Sequence, residues 1–194
     1  VLHDEAIFPV RYTGIPINIR NTNAPDDPGT MIVREAENTD PRHVITGIAG
    51  KKNFSVIAIE KDMMNAEIGF GRKVLEVLEN YDISFEHLPS GIDTMCVIVP
   101  TEALEGKREQ LLRSIQRQTH ADHIEIQDGM CLIAVVGRGM VRAKGTAARV
   151  CDAVSGAGVN IRMIDQGSSE LNIILGVDND AYETALRAIF REFV

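Results

Sequence analysis

At 194 residues the chain has room for one ordinary domain or two small ones, and with 44% hydrophobic and 25% charged residues its composition is neither disordered nor fibrous. Its formal net charge of −8 argues against non-specific binding to nucleic acid or to an anionic membrane. No apolar run approaches the roughly 20 residues of a spanning helix, no signal peptide is expected, and the start at Val1 without Met fits the tail of a longer protein.

Residues 1–40 differ in style from the rest. Ala6–Val10 and Ile15–Ile19 are apolar, Asn21–Thr30 is a long turn-rich loop, Met31–Val33 is a short strand, and Glu35–Arg42 reads as a charged linker. They look like the last elements of a domain whose body lies elsewhere. Val44–Ala49 then reads as a lone strand.

From Phe54 onward the chain says one thing twice. Residues 54–99 align without a gap on residues 130–175 at a constant shift of 76. Phe54–Ile59 falls on Met130–Val135, Gly69 on Gly145, Val74 on Val150, Gly91 on Gly167, and Val97-Ile98-Val99 on Ile173-Ile174-Leu175. Few positions are identical, but the apolar pattern coincides, as expected of one supersecondary unit used twice.

In the first copy Ser55–Glu60 is a strand, Asp62–Gly69 a loop, and Gly69–Tyr81 a helix with Val74, Leu75, Val77 and Leu78 at helical spacing. Ile83–Leu88 alternates as a strand, Pro89–Asp93 turns, and Met95–Val99 returns as the partner of a hairpin. A second helix opens at Thr101 or Glu102, and His123–Gln127 is a final strand. The second copy gives strands at Met130–Val136, Asn160–Ile164 and Leu171–Val177, with helices at Ala143–Ala157 and Asp178–Glu192. In the last helix the register slips by one or two residues.

The fold class is therefore α+β: two ferredoxin-like βαββαβ units, each an antiparallel sheet with helices on one face. The second copy ends without its fourth strand, and a half-built sheet leaves an open edge. Val44–Ala49 is expected to supply that strand, so the first unit is inserted into the second. The expected boundaries are 1–40 for the remnant and linker, 53–128 for the first unit, and 41–52 plus 129–194 for the second.

The candidate site is the loop Asp62–Gly71. Gly69 and Gly71 let a ligand approach the backbone, and the following helix start offers free N–H groups to a carboxylate. The ends of the next strands carry Ser84, Glu86, His87, Ser90 and Asp93. An anion-binding helix start facing acids suits a basic amino acid better than a phosphate, which Glu86 and Asp93 would repel. The bland reading is that the glycines shape a turn and the acids are solvated. Gly137-Arg138-Gly139 looks like a dinucleotide fingerprint, but position 142 is Arg, and a tight strand-to-helix turn explains it. RNA binding is set aside because the strands are aliphatic and Trp is absent. Cys96, Cys131 and Cys151 lack metal spacing and read as reduced, buried thiols of a cytoplasmic protein. His120-Ala121-Asp122-His123 reads as a solvated turn. No catalytic constellation and no metal site is expected.

The stretch Val1-Leu2-His3 … Pro9-Val10 … Gly14-Ile15-Pro16-Ile17 … Asn21-Thr22 … Pro25 … Pro28-Gly29-Thr30 resembles the end of the catalytic domain of aspartokinases. Asn65-Ala66-Glu67-Ile68-Gly69-Phe70-Gly71 with Ser84–Asp93 resembles their first ACT unit, and Asn160–Glu170 resembles their second. The resemblance covers essentially the whole chain. It implies a region whose paired ACT units bind end-product amino acids and shut down an ATP-dependent aspartate kinase, with units pairing across a homodimer and the effector at the interface of the first units. Carried over, Met63, Asn65, Gly69, Phe70 and Gly71 would hold the effector's carboxylate end. Ser84, Phe85, Glu86, Ser90 and Asp93 would face its ammonium groups, with Glu86 meeting a lysine side chain. Lysine is the expected effector, with threonine as a further candidate.

The kinase motifs are absent, so ATP and Mg are expected in the catalytic domain and not in this chain, which would be inactive alone. Ala66-Glu67 stands where some lysine-sensitive relatives have a serine. The second copy has Arg162 for Glu86 and Val141 for Asn65, and is expected to serve dimer packing. The alternative is a stand-alone ACT amino-acid sensor or dimerisation module; a nucleotide-binding enzyme is a third class.

Overall fold

The computed structural model describes residues 8–11, 13–33 and 44–193. The chain divides into two compact units, Val1–Arg42 and His43–Val194. In the smaller one a single helical turn, α1 (Phe8–Arg11), precedes the antiparallel pair β1 (Ile17–Ile19) and β2 (Thr30–Ile32), with Ile17 opposite Ile32. Gly29, at φ 71°, has Ile19 O 2.3 Å from where a Cβ would stand, so only glycine fits this turn. Arg20 closes the intervening loop, its Nη2 donating to Asp27 O at 2.7 Å.

The larger unit is built on one five-stranded antiparallel sheet in the order β4-β3-β5-β7-β6. Its two central strands are long, β3 (Gly47–Glu60) and β5 (His123–Val136), at 14 residues each. Around them lie β4 (Thr94–Pro100), β6 (Met163–Asp165) and β7 (Asn172–Asp178). The lone strand before the repeat does join the second copy: Gly47–Lys51 pairs with Leu132–Val136, and β5 pairs on its other side with β7. That strand does not stop, however. It runs on into the first copy, where Phe54–Glu60 pairs with β4. The strands read separately at Val44–Ala49 and Ser55–Glu60 are thus one, as are those at His123–Gln127 and Met130–Val136. The two ACT-like sheets are continuous.

Four helices cover this sheet: α2 (Phe70–Asn80), α3 (Arg108–Thr119), α4 (Thr146–Gly156) and α5 (Tyr182–Phe193). In α2 the buried residues are Phe70, Val74, Val77 and Leu78, the spacing of one helical face. They meet Ile57, Ile59, Val97 and Val99 of the sheet and Leu111 and Ile115 of α3. The second half repeats this with Val150 and Val154 of α4, Ala185 and Ile189 of α5, and Ile133, Val135, Ile173 and Leu175 below.

Side-chain parity explains how one long strand serves both halves. Ile48 of β3 faces the helices of the second half, whereas Ile57 and Ile59 face those of the first. Unbroken alternation would put even and odd positions on opposite faces. A one-residue irregularity in each strand, between Lys51 and Val56 on β3 and opposite it on β5, resets the alternation. All four helices therefore share a face. Asn53 (φ 68°) and Gly129 (φ 78°) carry the left-handed turns at this crossover. Asn53 and Asn179 exchange two hydrogen bonds there, at 3.1 and 3.0 Å.

Two expectations need correction. No strand forms over Ile83–Leu88; only isolated bridges, His87 to Ile98 and Ser90 to Met95, link this segment to β4. Its start is tied to the helix behind it, since Ile83 N–H donates to Leu78 O at 3.0 Å, and Pro89 has no N–H to give. The ungapped alignment also fails late. Val97 pairs with Ile57, but Ile133, the counterpart of Ile57, pairs with Leu175 and not Ile173. Strands β4 and β7 correspond at a shift of 78, because the connection over residues 157–171, which includes β6, is longer than that over residues 81–93. An even slip keeps the same residues facing the core, so the apolar pattern hides it.

Candidate functional site

Gly69 and Gly145 both sit in the left-handed region, at φ 83° and 85°, as N-caps of α2 and α4. The same device opens both helices, so the turn itself is part of the frame. What distinguishes the first copy is the loop before it. A short 3₁₀ turn precedes both helices, Met64–Ala66 and Arg138–Arg142, but the first is entered from a left-handed Met63 (φ 58°, 72% exposed) and the second from an extended Gly137.

Three hydrogen bonds join this loop to the turn between residues 89 and 94. Lys61 N–H donates to Asp93 O at 2.9 Å, Asn65 N–H to Ile92 O at 3.1 Å, and Met63 N–H to Asp93 Oδ1 at 2.9 Å. Met63, Asn65 and Asp93 are thus brought together. One carboxylate oxygen of Asp93 is engaged in shaping the loop, which limits what it offers a ligand. Met95, on β4, lies opposite Ser90 and 3.7 Å from where a Gly71 Cβ would stand, so those two predicted residues also share this end of the strand.

Phe70 belongs elsewhere. Its side chain is buried in the core beneath α2 at 4% exposure, and its N–H already donates to Glu67 O. It shapes the helix start without presenting a ring to a ligand. Ser84, Phe85 and Glu86 are exposed. Glu86 N–H donates to Ile98 O at 2.8 Å. Ile98 stands three residues beyond Met95 on the strand, so Glu86 and Ser90 are anchored about 10 Å apart. The first unit therefore presents two separated carboxylates, Asp93 beside the loop and Glu86 farther along. Glu86 forms no ion pair among the described residues.

In the second unit the equivalent of Glu86 is Arg162, whose N–H donates to Gly176 O at 2.8 Å. Its guanidinium is engaged within the chain, with Nη1 3.0 Å from Asp178 Oδ1 and Nη2 3.1 Å from Gln127 Oε1. Asn65's equivalent, Val141, is 48% exposed.

The loop rests on a clamp that the sequence pass did not single out. Glu67 sits between Lys61 and Lys73, with Lys73 Nζ 2.6 Å from Oε1 and Lys61 on Oε2. These hydrogen bonds, from Lys61 first and Lys73 second, bring the Glu67 carboxyl down to about 2. Lys61 also donates to Thr119 O at 2.6 Å and lies 5.7 Å from the centre of the Phe70 ring, which ties the loop to α3 and to the core. A glutamate flanked by lysines six residues to either side was the available signal. Asp122, from the His/Asp cluster, accepts Asp62 N–H at 2.8 Å and so holds the same loop.

Gly137, in the glycine-arginine-glycine stretch, has a packing role. A Cβ there would stand 2.4 Å from Val44 O and 2.6 Å from Ile45 Cα, where the chain enters β3. Cys131 is buried, Cys96 and Cys151 are half-buried, and burial pushes the thiols of Cys96 and Cys131 up. No described helix is long and apolar enough to cross a membrane.

A family model described as "ACT domain" matches residues 133–193. Aspartokinase 3 of Bacillus subtilis is 41% identical over 194 residues, covering all of this chain and 42% of the relative. The crystal structure of Clostridium acetobutylicum aspartate kinase superposes with a TM-score of 0.93 at 51% identity, covering 100% of this chain and 45% of that one. E. coli aspartokinase III in complex with lysine and aspartate (T-state) shares the fold at a TM-score of 0.72 and 21% identity, over 100% of this chain and 42% of that one. The chain thus spans less than half the length of these relatives.

Proposed function

Because this chain belongs to the aspartokinase family, as its C-terminal ACT-bearing regulatory region, we propose that it binds lysine and passes feedback inhibition to a kinase domain. The observation that carries the reading is the pair of separated carboxylates on the first unit. Asp93 stands by the glycine-led helix start, and Glu86 is anchored farther along β4, opposite Ile98. A ligand with a carboxylate, an α-ammonium and a second ammonium at the end of a long side chain matches that arrangement; threonine would engage only the loop end. The E. coli relative was solved with lysine and aspartate, which supports the same effector class.

The site opens to solvent beside exposed Met63, Ile68, Phe85 and Ile92. In this reading a second copy covers that apolar rim, so that the effector is bound between first units of a homodimer. The exposed Ile15, Met31 and Val33 of the smaller unit are the seat of the kinase domain. ATP and its magnesium ion belong to that domain, whose work is phosphoryl transfer to aspartate in the cytoplasm. Lysine acts only through differential affinity for two states of the dimer, and a coupling of this kind is worth about 1–3 kcal/mol.

Titration calorimetry with lysine, threonine and methionine, singly and in pairs, tests this. Heat from lysine that saturates at one site per chain or per dimer is expected. No heat from any of the three would sink the effector reading.

A further inference from the structure

Away from the helices the sheet has a second apolar face. Phe54, Val56, Ile98, Met130, Leu132 and Ile174 form one buried cluster drawn from both halves. The two helix-free faces therefore fold toward each other, and a cleft of about 260 Å³ remains between them. Its rim is joined across the halves by His87 Nδ1 and Asp165 Oδ2, 3.0 Å apart.

The lining has a definite chemistry. Val56, Ala58, Cys96, Ile98, Met130 and Met163 make an apolar wall, and the polar side chains in it are Arg162 and Gln127. The Arg162 side chain is only 20% exposed. It carries five N–H donors. Its bonds to Asp178, Gln127 and the Asp128 carbonyl use Nη1 and Nη2, which leaves donors over, Nε–H among them. The wall itself carries no carboxylate, and the two beside it are already engaged, Asp165 by His87 and Asp178 by Arg162, so an ammonium group would find no free counter-charge there.

We propose that this cleft is a second ligand site, distinct from the loop site of the first unit. It takes a short aliphatic monocarboxylic acid, with its tail on the apolar wall and its carboxylate on Arg162. Small-ligand sites have this composition, mostly apolar with one or two convergent polar groups. Pro89 also lines the cleft, and its carbonyl accepts Cys96 N–H at 2.8 Å. Pro89 lies between Glu86 and Ser90 in sequence, so an occupied cleft bears on the segment that carries the first site.

Isocaproate is a suitable probe, and leucine is the same skeleton with an ammonium added. Calorimetry and thermal unfolding of the full chain should show isocaproate binding and raising the midpoint, with leucine weaker by about tenfold or more. Arg162→Gln should weaken isocaproate by about tenfold or more, the loss of a charge-assisted hydrogen bond. Ala58→Leu, or Cys96→Leu should the first not fold, fills the cleft and should abolish the isocaproate response. Methyl NMR of the wild type gives a reading free of any variant: Met130 and Met163 signals should move with isocaproate. No response to isocaproate, an undiminished response in a folded cleft-filling variant, shifts confined to other methionines, or leucine binding as tightly would each overturn the proposal. Lysine heats are read separately, so failure here leaves the effector reading untouched.

Discussion

Glu86 and Arg162 occupy the same main-chain position in the two halves. Each donates its N–H to the carbonyl of the matching strand residue, Ile98 or Gly176, at 2.8 Å. The frame is repeated and the charge on it is reversed. In the first half the carboxylate is exposed; in the second the guanidinium is held by Asp178 and Gln127. Glu86→Gln should therefore leave the fold intact, because its side chain supports nothing in the core. Lysine affinity should fall by about 1.5–3 kcal/mol, the worth of a hydrogen bond between charged groups. Threonine heats should stay the same. Equal losses for both amino acids in parallel titrations would remove Glu86 from the ammonium end.

Acid should release the loop clamp. The Glu67 carboxyl is held down at about 2 from an ordinary 4.5, so the folded state binds its proton more weakly than the unfolded chain does. The stability it contributes is complete above about pH 4.5 and is lost as pH falls through about 2. Glu67→Gln has no such charge to lose. Urea midpoints measured between pH 6 and pH 2.5, about that window, should fall less steeply for Glu67→Gln than for the wild type. Parallel curves would mean that Lys61 and Lys73 do not hold Glu67 in solution.

At the crossover between the halves, Ser55 is fully buried and its Oγ bonds both Thr101 at 2.9 Å and Asp128 at 2.5 Å. Asp128 also takes a two-pronged bond from Arg108, at 2.8 and 2.9 Å. Arg108 first and Ser55 second hold its carboxyl below the usual range. Burial decides which bond matters. The Arg108–Asp128 pair is 38% and 49% exposed, so solvent screens it, and Arg108→Ala should cost under about 1 kcal/mol. Ser55→Ala removes a buried partner from two groups and should cost about 1–3 kcal/mol. Chemical denaturation of the two variants gives the order, and a larger loss for Arg108→Ala would reverse this reasoning.

The repeat made much of this architecture readable. Glycine-led helices, their buried faces and the inserted order all follow from the apolar pattern and from the orphan strand beginning near Val44. What escaped did so for identifiable reasons. Periodicity carries no sign of an even slip, so Leu175 and not Ile173 as the counterpart of Val97 had to come from pairing. Fusion of the strands at Val44–Ala49 and Ser55–Glu60 into β3 was masked by the polar Lys51-Lys52-Asn53 between them, which forms the irregular crossover. Met63 and Asn65 do meet the turn at Asp93, but Phe70 turns inward because the first turn of an amphipathic helix serves the core. His87–Asp165 joins residues 78 apart with no local pattern between them, whereas the Glu67 clamp was marked only by the lysines six residues to either side.

Gly137 separates a packing reading of the glycine-arginine-glycine stretch from a ligand-binding one. Thr46 N–H donates to Val136 O at 2.7 Å, which draws the entering backbone against Gly137. A Cβ would stand 2.4 Å from Val44 O and 2.6 Å from Ile45 Cα. Both obstacles are backbone and cannot swing away. Gly137→Ala should therefore push the entering strand off the second half, at a cost of about 1–3 kcal/mol. Gly156, at the end of α4, has open space where its Cβ would stand, and Gly156→Ala should be neutral or stabilising by up to about 1 kcal/mol. Amide exchange would localise the damage. Protection should drop first along Gly47–Lys51 and its partners Leu132–Val136, while Phe54–Glu60 against β4 keeps its own. A uniform drop across β3 would mean that the strand opens as one piece and that its two halves are not separable.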